Sequence, residues 1–92
     1  MKPVRFSRHA SEQALRRGAA LSDVLRAIRE APWERAERER FKATKMFPDD
    51  RVSPMNGVFY RFQTIEAIFT EETSEIIVVT VKVYYSNLER QP

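Results

Sequence analysis

Residues 76–85, Ile-Ile-Val-Val-Thr-Val-Lys-Val-Tyr-Tyr, constrain this chain more than any other segment. Ten residues so rich in β-branched and aromatic side chains are expected to extend as a strand. Strict alternation places Ile77, Val79, Val81, Val83 and Tyr85 on one face, and Ile76, Val78, Thr80, Lys82 and Tyr84 on the other. The first face is apolar and needs cover. The second turns from apolar to hydroxyl, ammonium and phenol, which suits either a solvated face or a binding surface. Val79, Val81 and Val83 are therefore expected to face the rest of the core, with Thr80, Lys82 and Tyr84 facing away. A one-residue register slip would exchange the two sets.

The cover comes from the N-terminal part of the chain. Phe-Ser-Arg-His-Ala-Ser-Glu-Gln-Ala-Leu-Arg-Arg-Gly, residues 6–18, reads as a helix with Ser7 as its N-cap and Gly18 as its stop. Residues 21–32 read as a second helix, capped by Ser22, with Asp23 in its positive first turn and Arg29 in its last. Val24, Leu25 and Ile28 form its apolar stripe, and Pro32 forbids continuation.

After Pro32 the period changes. Residues 34–47 are highly charged, and their alternation places Arg38, Arg40 and Lys42 opposite Phe41, Ala43 and Phe47, as in a single strand. Residues 48–57, with two prolines and Asn56-Gly57, read as a loop. Residues 58–71 supply one strand or two closely linked ones, 71–75 a polar turn, and 86–92 a tail. The order is two helices followed by strands. The expected fold class is α+β, a single domain over residues 1–92, with two N-terminal helices packed on one face of a three- to four-stranded antiparallel sheet.

With 92 residues and 42% hydrophobic composition the chain is long enough for one modest core. It has no cysteine, which removes disulfides, thiolate metal sites and cysteine nucleophiles, and fits a cytoplasmic location. No apolar run approaches a membrane span, and the N-terminus lacks a signal-peptide core, so no membrane partner is expected. Charge is unevenly placed. Residues 1–46 hold twelve Lys/Arg against six Asp/Glu, and residues 47–92 hold four against seven. A basic half points to an anionic partner, either nucleic acid or an acidic protein.

Three residue sets carry candidate chemistry. His9, the single histidine, shares a helical face with Gln13 and Arg17, and Arg16 borders it. Imidazole titrates near neutrality and suits proton transfer, although a lone histidine is more often a surface residue. Thr80, Lys82 and Tyr84 supply a cation and two hydroxyls suited to phosphates and bases, with Tyr84 also able to stack. Arg35, Arg38, Arg40, Lys42 and Lys45 offer a phosphate track or, interleaved with Glu34, Glu37 and Glu39, a self-neutralising set of ion pairs. One histidine without cysteine makes zinc an unexpected ligand, and two isolated glycines make no phosphate loop; neither a metal nor another cofactor is expected.

The opening segment, with its Phe-Ser-x-His-Ala motif and an arginine eight residues after the histidine, resembles a family of small, uncharacterised bacterial domains. Residues 68–85, with their acidic turn and Val-Val-Thr-Val strand, resemble the same family's closing hairpin. That family is grouped with the RelE-like toxins, in the barnase/EndoU/colicin/RelE ribonuclease fold. The resemblance covers about half of the chain. It implies a metal-independent endoribonuclease of the toxin–antitoxin type, acting on RNA, free or on the ribosome, on an exposed sheet face and leaving 2′,3′-cyclic phosphate ends. It also implies an acidic antitoxin as partner. His9, Arg17, Thr80 and Tyr84 match the family's motif positions and become the expected catalytic set. His9 is expected as base or acid, Arg17 as phosphate clamp, Thr80 as hydrogen-bond donor and Tyr84 as stacking group or acid. Gln13, Arg16, Arg40, Lys42 and Lys82 become the expected RNA-binding set. The alternative is a non-catalytic interaction module of the same fold that binds an acidic protein.

Overall fold

The computed structural model of the chain describes residues 1–48 and 50–88. Helix α1 (Arg8–Arg17) begins where Ser7 Oγ accepts the Ala10 amide at 3.0 Å, and ends at Gly18, whose φ of 82° is left-handed. The Ala19 amide then reaches back to the Ala14 carbonyl at 2.9 Å, turning the chain straight into helix α2 (Leu21–Glu30). Ser22 does not cap α2. Ala20 holds the cap position and no side chain bonds there, because the tight turn after Gly18 starts the helix earlier than Ser22 allows.

The sheet corrects the expectation of three to four antiparallel strands. It has five, in the order β1 (Val4–Phe6), β7 (Ile76–Ser86), β6 (Phe62–Glu71), β3 (Arg40–Phe47) and β2 (Trp33–Ala36). The sheet is mixed, since β1 runs parallel to β7 while the other pairs are antiparallel. Three residues after a proline are too short to show alternation. What forms β1 is backbone pairing, including Ile76 N–H to the Pro3 carbonyl and Ser7 N–H to the Val78 carbonyl, both 2.9 Å. Residues 34–47 are likewise not one strand but most of a hairpin, β2 and β3. A second ribbon, β4 (Arg51–Val52) with β5 (Phe59–Tyr60), lies within the segment read as loop and strand start. The tail expected over 86–92 is described only to Leu88; residues 89–92 and Asp49 lie outside the described residues.

β7 is an interior strand, as its composition demands, but its alternation breaks once. Ile68 pairs with Thr80 and Phe69 with Val78, leaving Val79 as the extra residue of a β-bulge. Ile76 and Val78 therefore join Val81 in the core, each fully buried, and Val79 does not. The expected faces hold beyond the bulge, where Val81 is buried and Lys82 and Tyr84 are exposed. Both helices pack on one face of the sheet. Ala10, Ala14, Val24 and Ile28 meet Ala43, Phe47, Ile65, Ala67, Phe69 and the β7 residues in one cluster.

Candidate nucleic-acid interface

Among the described residues no element covers the sheet face away from the helices. Register fixes its rows. Lys82 stands opposite Glu66, Thr80 opposite Ile68, and Ile68 in turn opposite Lys42, which pairs across to Glu34. Directly opposed side chains start about 5 Å apart, so these groups form one continuous surface. It is concave. A depression of about 710 Å³ runs from β7 to the β2–β3 turn and is lined by Thr80, Lys82, Glu66, Ile68, Lys42, Arg40, Ala36, Arg35, Glu37 and Arg38. Ile68 and Ala36 supply apolar floor. Five cations and two carboxylates surround it.

Those cations differ from six others in the molecule, although Arg16, Arg29 and Arg61 are also without an ion pair among the described residues. Elsewhere Lys2, Arg5, Arg8, Arg26, Lys45 and Arg51 pair with Glu71, Glu75, Glu12, Glu30, Glu30 and Asp23. Arg38, Arg40, Lys42 and Lys82 make no ion pair among the described residues, and neither does Glu66. The self-neutralising arrangement that the interleaved glutamates suggested is absent there. Arg35 sets its guanidinium 5.9 Å from the centre of the Phe41 ring. The titrations that ion pairing shifts also lie elsewhere. Hydrogen bonding to Glu75 raises the Arg5 guanidinium, and hydrogen bonding to Arg26, aided by Lys45, holds the Glu30 carboxyl below its ordinary range.

The helical set is used differently from the strand set. Gln13 is buried, and its Oε1 accepts the Val81 amide at 2.9 Å; Arg17 Nη1 donates to the Val81 carbonyl at 2.8 Å. β1 stops at Phe6, so these two side chains satisfy the strand edge that β1 leaves open just beyond the bulge. Neither lines the depression. Arg16 and His9 are exposed, and His9 has no hydrogen-bond partner among the described residues. His9 precedes Gln13 by one turn on the same face, and Ser7 is fixed to Val78. His9 is not among the residues that line the depression. Tyr84 is 39% exposed on the open face, opposite Thr64.

Of the expected residues, the structure thus brings Arg40, Lys42, Thr80 and Lys82 together, with Tyr84 on the same face, and places Gln13 and Arg17 on the β7 backbone. Sequence reasoning missed Glu66 and Ile68. The signal for them was the alternation of β6, where Ile65, Ala67 and Phe69 are buried and Glu66 and Ile68 fall between them. Among the described residues no group of three or more His, Cys, Asp or Glu side chains is placed to hold a metal ion, and no helix is long and apolar enough to cross a membrane. Comparison with protein-family models, curated proteins and solved structures finds no match to this chain.

Proposed function

We propose that the open face binds single-stranded RNA and that the domain is a metal-independent endoribonuclease of the RelE-like, toxin–antitoxin type. The observation that carries the reading is the depression whose Arg38, Arg40, Lys42 and Lys82 have no carboxylate partner. Unpaired cations brought together repel one another, and a polyanion relieves that repulsion while releasing its counterions. Thr80 adds a hydroxyl beside them. Tyr84 extends the surface with an exposed ring on which an unpaired base stacks.

Cleavage then follows from the Glu66–Lys82 pair. The Glu66 carboxylate takes the proton of a ribose 2′-hydroxyl as its oxygen attacks the adjacent phosphorus. Lys42 and Arg40 offset the charge that builds on the phosphorane oxygens. The bond to the 5′-oxygen breaks, Lys82 protonates that oxygen, and the products are a 2′,3′-cyclic phosphate and a 5′-hydroxyl.

The rival, a non-catalytic module that binds an acidic protein, is favoured by one observation: the single imidazole lies outside the depression. Incubation with mixed RNA in chelator decides between them. The proposal expects cleavage with cyclic-phosphate ends, lost roughly 100-fold or more in Glu66→Gln. RNA neither bound nor cut favours the rival, and RNA bound but never cut keeps the binding face and overturns the cleavage step. Cleavage that survives Glu66→Gln and is lost in His9→Ala moves proton transfer to His9.

A further inference from the structure

The β2–β3 turn carries a backbone strain that its own sequence does nothing to relieve. Arg38 and Glu39 both hold φ at 59°, and the Arg40 amide closes the turn on the Glu37 carbonyl at 3.2 Å. Positive φ at two successive turn residues is ordinarily taken by Asn-Gly or Asp-Gly. Residues with long side chains avoid the left-handed region, and two in succession are unusual. Packing does not explain them here. Both side chains are exposed, and neither makes a hydrogen bond or ion pair among the described residues. Arg38 nevertheless lines the depression, on the wall away from β7. An Asn-Gly turn would relax the backbone and supply no cation at that wall.

We infer that the Arg38–Glu39 turn is a phosphate-binding arm of the depression. Its left-handed backbone carries the Arg38 guanidinium to one phosphodiester group of a single strand whose next phosphates meet Lys42 and Lys82. Strain held at an exposed turn and spent on placing one charged side chain is a known use of unfavourable backbone conformations. The inference rests on the RNA-binding reading above and adds the residue and the backbone device that grip the strand at its far end.

The test uses a short fluorescein-labelled single-stranded RNA, 2′-O-methylated so that it cannot be cut, with the whole protein and three variants. Glu39→Gly and Arg38→Gly both relieve the turn and are expected to raise the melting temperature by about 2–5 °C. Their binding diverges. Glu39→Gly holds RNA at least as tightly as the original protein. Arg38→Gly, although more stable, loses about 10-fold at low salt, and its log–log salt slope becomes shallower by roughly 0.7. Arg38→Lys, which keeps the charge, stays within about 3-fold of the original. Stability and affinity moving in opposite directions in one variant support the arm. Arg38→Gly binding RNA like the original protein overturns it, as do glycine variants that both melt lower. A starting protein that fails to bind this RNA at low salt overturns the RNA reading and the arm together.

Discussion

The two faces of the sheet use polar side chains in opposite ways. On the helical face Gln13 and Arg17 hold the Val81 amide and carbonyl, Gln63 Nε2 donates to the Gly18 carbonyl, and the Tyr85 hydroxyl donates to the Arg17 carbonyl. Each completes a backbone group that the fold would otherwise strand; among the described residues Gln63 Oε1 and, on the other face, Thr64 Oγ1 are buried without a partner. On the open face Arg38, Arg40, Lys42 and Lys82 complete nothing within the described chain. Polarity on the first face therefore serves folding, whereas polarity on the second is surplus to it. Surplus, same-sign charge concentrated in a concavity is the physical mark of a site for an anion.

The most forceful way to sharpen this contrast is to damage the helical face. Phe69 is fully buried and packs against Trp33, with ring centroids 4.8 Å apart. Phe69→Ala is expected to cost about 3–5 kcal/mol in urea unfolding followed by circular dichroism. A loss below about 1 kcal/mol would show that the shared core does not depend on this face. Next is Gly18→Ala. Its φ of 82° is left-handed, and an added Cβ would meet Tyr85 Oη at 2.7 Å and Pro54 Cδ at 2.8 Å, so about 1–3 kcal/mol is expected. Gln13→Leu follows. It leaves the Val81 amide without its acceptor, for about 1–3 kcal/mol in the same assay. If its stability were unchanged, Gln13 would belong with the open-face residues instead.

On the open face the same measurement gives the opposite result. Lys42→Ala and Lys82→Ala are expected to change stability by less than about 0.5 kcal/mol, while each makes the salt slope of RNA binding shallower by roughly 0.7. The smallest effect is at the exposed end of α2, where Glu30 pairs with Arg26 and Lys45. Its carboxyl is held below the ordinary range by those cations, so the stability it contributes is present above that range and is lost as pH falls through it. Glu30→Gln is expected to remove this part of the acid titration, lowering stability slightly above that range and leaving it unchanged below.

Much of the helical face was legible because it depends on local chemistry. Ser7, Gly18 and Pro32 mark helix ends through their own backbone preferences, and the Val24–Ile28 stripe has helical spacing. What escaped depends on contacts between distant segments. β1 exists through pairing with β7 and has no pattern of its own. The β2–β3 hairpin hid because Arg38-Glu39 lacks the Asn or Gly that ordinarily takes positive φ in a turn. The Glu66–Lys82 row was hidden by the bulge: counting back from the Glu71–Ile76 pair without Val79 sets Glu66 opposite Val81. The cationic content of the site was visible in Arg40, Lys42 and Lys82, but their lack of carboxylate partners was not, because ion pairing is decided by side-chain placement.

If the unpaired cations, and not cations in general, form a site for RNA, the salt dependence of binding must follow them. The direct measurement is the salt dependence of binding to an uncleavable single-stranded RNA by the original protein, by a Lys42→Ala/Lys82→Ala double variant and by a Lys45→Ala control at a cation paired with Glu30. Four phosphate contacts predict a log–log slope of roughly −2.8 for the original protein, falling to about −1.4 in the double variant and staying unchanged in the control. A slope near zero, or an equal loss in the control and the double variant, would contradict the account.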